Sequence, residues 1–124
     1  MKQENVQYFT EKEEEIVNLL IEIGTKKNVA KVLVFLDNIP EATSHAIERG
    51  TNLRQPEVNI TMHYLMDRGW IRSRESKAES QGRPVKIYEL AKPVAEIMDS
   101  FEKESEDRAN NQLKLIKKLR DYIS

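Results

Sequence analysis

Arg54, Gln55, Asn59 and His63, joined by Ile60, are the residues of this chain whose types and spacing suit a definite chemistry, the reading of base pairs. Asn and Gln amides can contact adenine in bidentate fashion, Arg can reach guanine or phosphate, and an isoleucine can pack on a thymine methyl group. The spacing predicts a helix over 55–68 on which Val58, Met62 and Leu65 point inward. Pro56, Asn59, Ile60 and His63 then share the opposite face, with Arg54 and Gln55 at its start. An ordinary solvated polar face is the competing reading, and Ile60 weighs against it. A second set follows in sequence. Arg72 and Arg74 alternate with Ile71 and Ser73 and so share one face of a strand, while Lys77, Gln81 and Arg83 decorate a polar tip suited to the nucleic-acid backbone or a minor groove. Thr43 and Ser44, at the start of the preceding helix, are candidates for backbone contacts. Lys26, Lys27 and Lys31 read as a solvated patch.

Catalytic chemistry finds no comparable constellation. His45 and His63 are the only histidines and fall on different predicted helices, and there is no cysteine. Thiolate metal sites, disulfides and nucleophilic cysteines are thereby excluded. Gly24, Gly50, Gly69 and Gly82 are scattered and form no phosphate loop. Met62 and Met66 read as core. The expectation is a protein that is not an enzyme and has no catalytic residue, metal or cofactor.

The elements that must position the base-reading set occupy 46–90. Ile47, Leu53, Val58, Met62 and Leu65 let two short helices bury one shared face across a glycine-containing turn. Gly69 stops the second helix. WIRSRE and VKIYEL then alternate as the two strands of a hairpin. A helix able to enter a groove beside a basic hairpin is a DNA-reading arrangement. The block LRQPEVNITMHYLMDRGWI and the return GRPVKIYEL resemble the winged helix-turn-helix transcriptional regulators of the MarR, TrmB and ArsR type, especially small archaeal members. The resemblance covers about the central third of the chain closely and the flanks in architecture. It implies a mostly α (α+β) fold, a winged helix-turn-helix with a two-stranded wing and a C-terminal dimerisation helix.

Upstream, Thr10 and Glu13 form a capping box for a helix with Ile16, Leu19, Leu20 and Ile23 as its apolar stripe, ended by Gly24. A second helix over Lys27–Asn38 ends before Pro40, and a third starts at Thr43 or Ser44 and ends at Gly50. Helix 55–68 lacks the usual Ser or Asp cap, while Pro56 and Glu57 suit its first turn. Beyond the hairpin, Pro93 opens a long helical stretch with one stripe at Val94, Ile97, Met98 and Phe101 and another at Leu113, Ile116, Leu119 and Ile123. Between them EKESEDRANN is nearly free of apolar residues, so either one helix continues with a polar waist or Asn110 and Asn111 mark a break.

The 124 residues fit a winged domain, 1–91, followed by a helical extension, 92–124. With 39% hydrophobic and 33% charged residues the chain has the composition of a helical globular protein. No apolar run nears the roughly 20 residues of a membrane span, and the polar start MKQENVQ is unlike a signal peptide, so the expected location is the cytoplasm. The net charge of −1 hides segregation: between Arg68 and Lys86 six cations face two acids, net +4, and acid collects at 11–15 and 99–107. The expected partners are double-stranded DNA and a second copy of the chain. Ile16, Leu20, Ile23, Phe101, Leu113, Ile116, Leu119 and Ile123 are the expected dimer interface. A winged-helix module that binds protein within a larger assembly is the alternative, and a regulator sensing a ligand at its dimer junction is a weaker third.

Overall fold

Thr10 and Glu13 start the first helix as their spacing requires. In the computed structural model, which describes residues 9–76 and 84–124, the Glu13 amide donates to Thr10 Oγ1 at 3.1 Å and the Thr10 amide donates to Glu13 Oε1 at 2.9 Å. Helix α1 spans Glu11–Glu22, and Gly24 turns the chain at φ 109°. Glu13 also accepts from the Asn38 side-chain amide, tying the start of α1 to the end of the next helix. Val17 and Leu20 are the buried residues of α1, whereas Ile16, Leu19 and Ile23 are exposed. This corrects the expected interface at one residue. Leu20 belongs to the protein's own core, because Val17 and Leu20 share the helix face turned to α2, with Ile16 beside it rather than on it.

Helix α2, Lys27–Asn38, buries Val29, Ala30, Val32, Leu33, Val34 and Leu36. The β-branched run KVLVFL is helical because burial from several sides outweighs its weak helix propensity: α1, α3, α4 and a strand all pack on α2. After Pro40 come β1, Ala42–Thr43, and α3, Ser44–Thr51. Thr43 is the N-cap, its Oγ1 accepting from the Ala46 amide at 3.1 Å.

Helix α3 runs through Gly50 and closes at Asn52, which takes the left-handed conformation at φ 60°. Asn tolerates that region through its short polar side chain. Gly50 therefore does not end the helix, and the turn Asn52–Arg54 contains no glycine. A Cβ built at Gly50 would lie 2.0 Å from Phe35 Cε1. The glycine serves the close approach of α3 to α2.

Helix α4 spans Gln55–Asp67 with Arg54 as N-cap, and in place of a Ser or Asp cap Glu57 Oε1 accepts from the Arg54 amide at 2.9 Å. Gly69, at φ 76°, turns the chain into Trp70. Strands β2, Ile71–Ser76, and β3, Val85–Leu90, pair antiparallel from Ile71 opposite Leu90 to Ser76 opposite Val85. The hairpin gains a third strand that the sequence did not suggest. β1 pairs with β3, Ala42 opposite Tyr88, giving the order β1-β3-β2. Two residues are too few to show alternation. Leu33, Ile47, Val58, Leu65 and Trp70 are all nearly inaccessible and mark the core.

Helix α5 is unbroken over Val94–Ile123, passing through Asn110 and Asn111. Ile97 is fully buried, and every residue from 105 onward is exposed. The chain divides into two compact units, Met1–Lys92 and Pro93–Ser124. Among the described residues there are five helices and three strands, and no helix is long and apolar enough to cross a membrane.

Candidate nucleic-acid interface

The turn Asn52–Arg54 anchors Leu53 in the core and sends α4 out with one face down. Val58, Thr61, Met62 and Leu65 are buried on that face. Arg54, Gln55, Pro56, Asn59, Ile60 and His63 are all exposed. Ile60 is 72% exposed, a large apolar residue presented to solvent between polar neighbours. His63 Nδ1 donates to the Asn59 carbonyl at 2.8 Å, which holds the ring along its own helix. Thr43 and Ser44 are half-buried, with Thr43 Oγ1 engaged in capping α3.

Beside this face the fold places cations that sequence reasoning set aside as a solvated patch. Lys26, Lys27 and Asn28, at the start of α2, line a cleft of about 410 Å³ together with Glu57, Ile60 and Tyr64 of α4. Two lysines thus share one cleft with the exposed isoleucine. Partial burial, and then the neighbouring Lys27 charge, push the Lys31 ammonium below its ordinary pKa, against a smaller opposing pull from Glu57. The signal available in the sequence was the cluster of three lysines within 26–31, whose proximity to α4 only the packing of α2 creates.

On the hairpin, Arg72 and Arg74 share an exposed face, and each is ion-paired. Arg72 Nε lies 2.7 Å from Glu89 Oε2, and Arg74 Nη2 lies 2.7 Å from Glu41 Oε2. Glu89 stands directly opposite Arg72 in the ladder, and Glu41 arrives through β1. Counting these two carboxylates with the 68–86 stretch lowers its net charge from +4 to +2. Exposed pairs of this kind are worth about 0–1 kcal/mol, so a phosphate can displace the carboxylate at little cost. The Arg68 guanidinium lies 4.4 Å from the centroid of the buried Trp70 ring and 5.8 Å from that of Tyr64, fastening the end of α4 to the residue that leads into β2. Lys77, Gln81 and Arg83 lie outside the described residues. Among the described residues no group of three or more His, Asp or Glu side chains is placed to hold a metal ion.

No protein-family model matches the chain, and no curated protein matches it in sequence. Solved structures do. TrmBL2, an archaeal chromatin protein whose structure is described as showing a novel mode of DNA binding, superposes with a TM-score of 0.71 over 90% of this chain at 17% identity. The chain spans 40% of that protein's length. A possible transcriptional regulator from Methanosarcina mazei Go1 matches with a TM-score of 0.59 at 17% identity, over 82% of this chain and 85% of its own. The fold is a winged helix. Helices α3 and α4 are its helix-turn-helix, and β2 and β3 are the strands of its wing, with β1 paired to β3. At this identity the likeness carries the winged helix itself and no particular residue.

Proposed function

We propose that the protein is a sequence-specific regulator of transcription that binds double-stranded DNA as a homodimer. Helix α4 enters the major groove with Asn59, Gln55 and Arg54 toward base edges and Ile60 toward a methyl group. Lys26 and Lys27 and the wing residues Arg72, Arg74, Lys77 and Arg83 engage the phosphate backbone. The observation that carries this reading is the exposed outer face of α4, with Ile60 bare between Asn59 and His63 and sharing a cleft with Lys26 and Lys27 at the start of α2. The description of TrmBL2 as a DNA-binding chromatin protein supports it. Two copies related by a twofold axis would read a near-palindromic site, and the exposed Leu113, Ile116, Leu119 and Ile123 of α5 supply the apolar seam for pairing, with Phe101 in its proximal half. Ile16 and Ile23 of α1 are a second exposed apolar surface available to the dimer.

Selection of bound sequences from a random duplex pool, followed by Asn59→Ala on the selected site, tests the proposal. The variant should lose about 1–3 kcal/mol of affinity at the selected site and little on random DNA. Equal loss on both would reduce Asn59 to a positioning role. Failure to enrich any sequence, with no salt-dependent affinity for duplexes, would favour a protein-binding module instead.

A further inference from the structure

Helix α5 is divided by charge. Residues 94–109 carry six acids against two bases, net −4, and residues 110–123 carry four bases against one acid, net +3. At 100° per residue, Met98, Phe101, Ile116, Leu119 and Ile123 fall on one stripe, with the smaller Ser105 and Ala109 continuing it through the waist. Asp99 and Glu102 lie on one flank of that stripe, and Lys117 and Arg120 lie on the same flank. All four are exposed.

We infer that α5 pairs with α5 of a second copy in antiparallel orientation, about a twofold axis crossing the helix between Ala109 and Asn110. The inference rests on the homodimer proposed above and fixes its geometry. Antiparallel helices bring the same flank of each together, whereas parallel helices oppose unlike flanks and set each half against its own kind. The step from Asp99 to Glu102 equals the step from Lys117 to Arg120, three residues in each case. One register therefore places Asp99 against Arg120 and Glu102 against Lys117 together, and the axis repeats both pairs. The same register lays the bare seam Ile116, Leu119 and Ile123 on the partner's Phe101, Met98 and Val94, and brings the small Ser105 and Ala109 to the crossing. Sliding the helices so that only the bare distal halves overlap would oppose two segments of net +3. Charge thus selects both direction and register. The connections at Pro93 then leave from opposite ends of a rod about 45 Å long.

The chain has no cysteine, so single introduced thiols report cleanly. Spin labels on Asn110→Cys and, separately, on Tyr122→Cys, both at exposed positions, measure the arrangement in the full-length protein by pulsed dipolar spectroscopy. The antiparallel pair predicts a label separation under about 20 Å at 110 and about 40 Å at 122, from 1.5 Å of rise per residue. Short distances at both positions mean a parallel pair, and long distances at both mean a dimer through another surface. Either result overturns the inference and leaves the homodimer standing. A monomeric mass with no dipolar signal overturns both. Independently, Lys117→Glu/Arg120→Glu should weaken dimerisation on the order of tenfold, and mixing it with Asp99→Lys/Glu102→Lys should restore a heterodimer. No recovery on mixing refutes the register.

Discussion

Replacing Gly50 with alanine tests whether the helix-turn-helix is held by close contact of α3 with α2. On helix propensity alone the change should stabilise, since glycine inside a helix is about 1 kcal/mol worse than alanine. The structure predicts the opposite sign. The added methyl group would stand 2.0 Å from Cε1, 2.6 Å from Cδ1 and 2.8 Å from Cζ of Phe35. These are ring atoms, so the whole phenyl group must swing or α3 must lift. Overpacking of this kind costs about 1–3 kcal/mol, and a contact at 2.0 Å belongs at the upper end. Subtracting the propensity gain leaves a net loss of about 1–2 kcal/mol. For a domain of this size that lowers the melting midpoint by roughly 4–8 °C. Urea unfolding of wild type, Gly50→Ala, Phe35→Leu and the double variant checks the source of the loss. If the ring is responsible, alanine at 50 costs much less when leucine occupies 35, and the cycle gives a coupling of about 1 kcal/mol. A neutral or stabilising Gly50→Ala would refute the close-approach reading, and an equal loss in both backgrounds would move the strain away from Phe35.

Arg83→Ala and Lys27→Ala should each weaken binding to selected and random duplexes alike and lower the magnitude of the salt slope by about one per protomer, as read from binding isotherms across a salt series. An unchanged slope removes that residue from the phosphate contacts. Thr43→Ala should cost about 1 kcal/mol in urea unfolding by removing the cap of α3. For Lys31 the folded-state pKa lies below the ordinary 10.5, so the folded protein binds fewer protons than the unfolded chain between the two values. Stability therefore rises with pH across that window, and below it the cost of the buried charge is present in full. Lys31→Met should accordingly be more stable than wild type at neutral pH, with the difference shrinking as pH climbs toward 10.5.

Local chemistry was legible wherever a residue acts on its immediate neighbours. The reciprocal cap of Thr10 and Glu13, the glycine turns at Gly24 and Gly69, the bounds of α2 and the hairpin after Trp70 all follow from effects that reach four residues or fewer. Periodicity likewise assigned Val58, Met62 and Leu65 to the core and left Asn59, Ile60 and His63 outside. Other features depend on which distant segments meet. Leu20 and Ile16 are equally apolar, and only the docking of α1 on α2 buries one and exposes the other. Gly50 looks like a helix stop until Phe35 is seen beside it, and Asn52 then performs the stop. Arg72 and Arg74 look like unpaired cations until the ladder sets Glu89 opposite one and β1 brings Glu41 to the other. The lysines at the start of α2 become neighbours of Ile60 because α2 crosses α4. Sequence by itself determined the elements and the inner and outer faces of α4, since hydrogen-bond capping, backbone freedom and helical period act at short range. Tertiary structure decided partners, pairing of charge and close approach, because those arise from contacts between segments that no local pattern encodes.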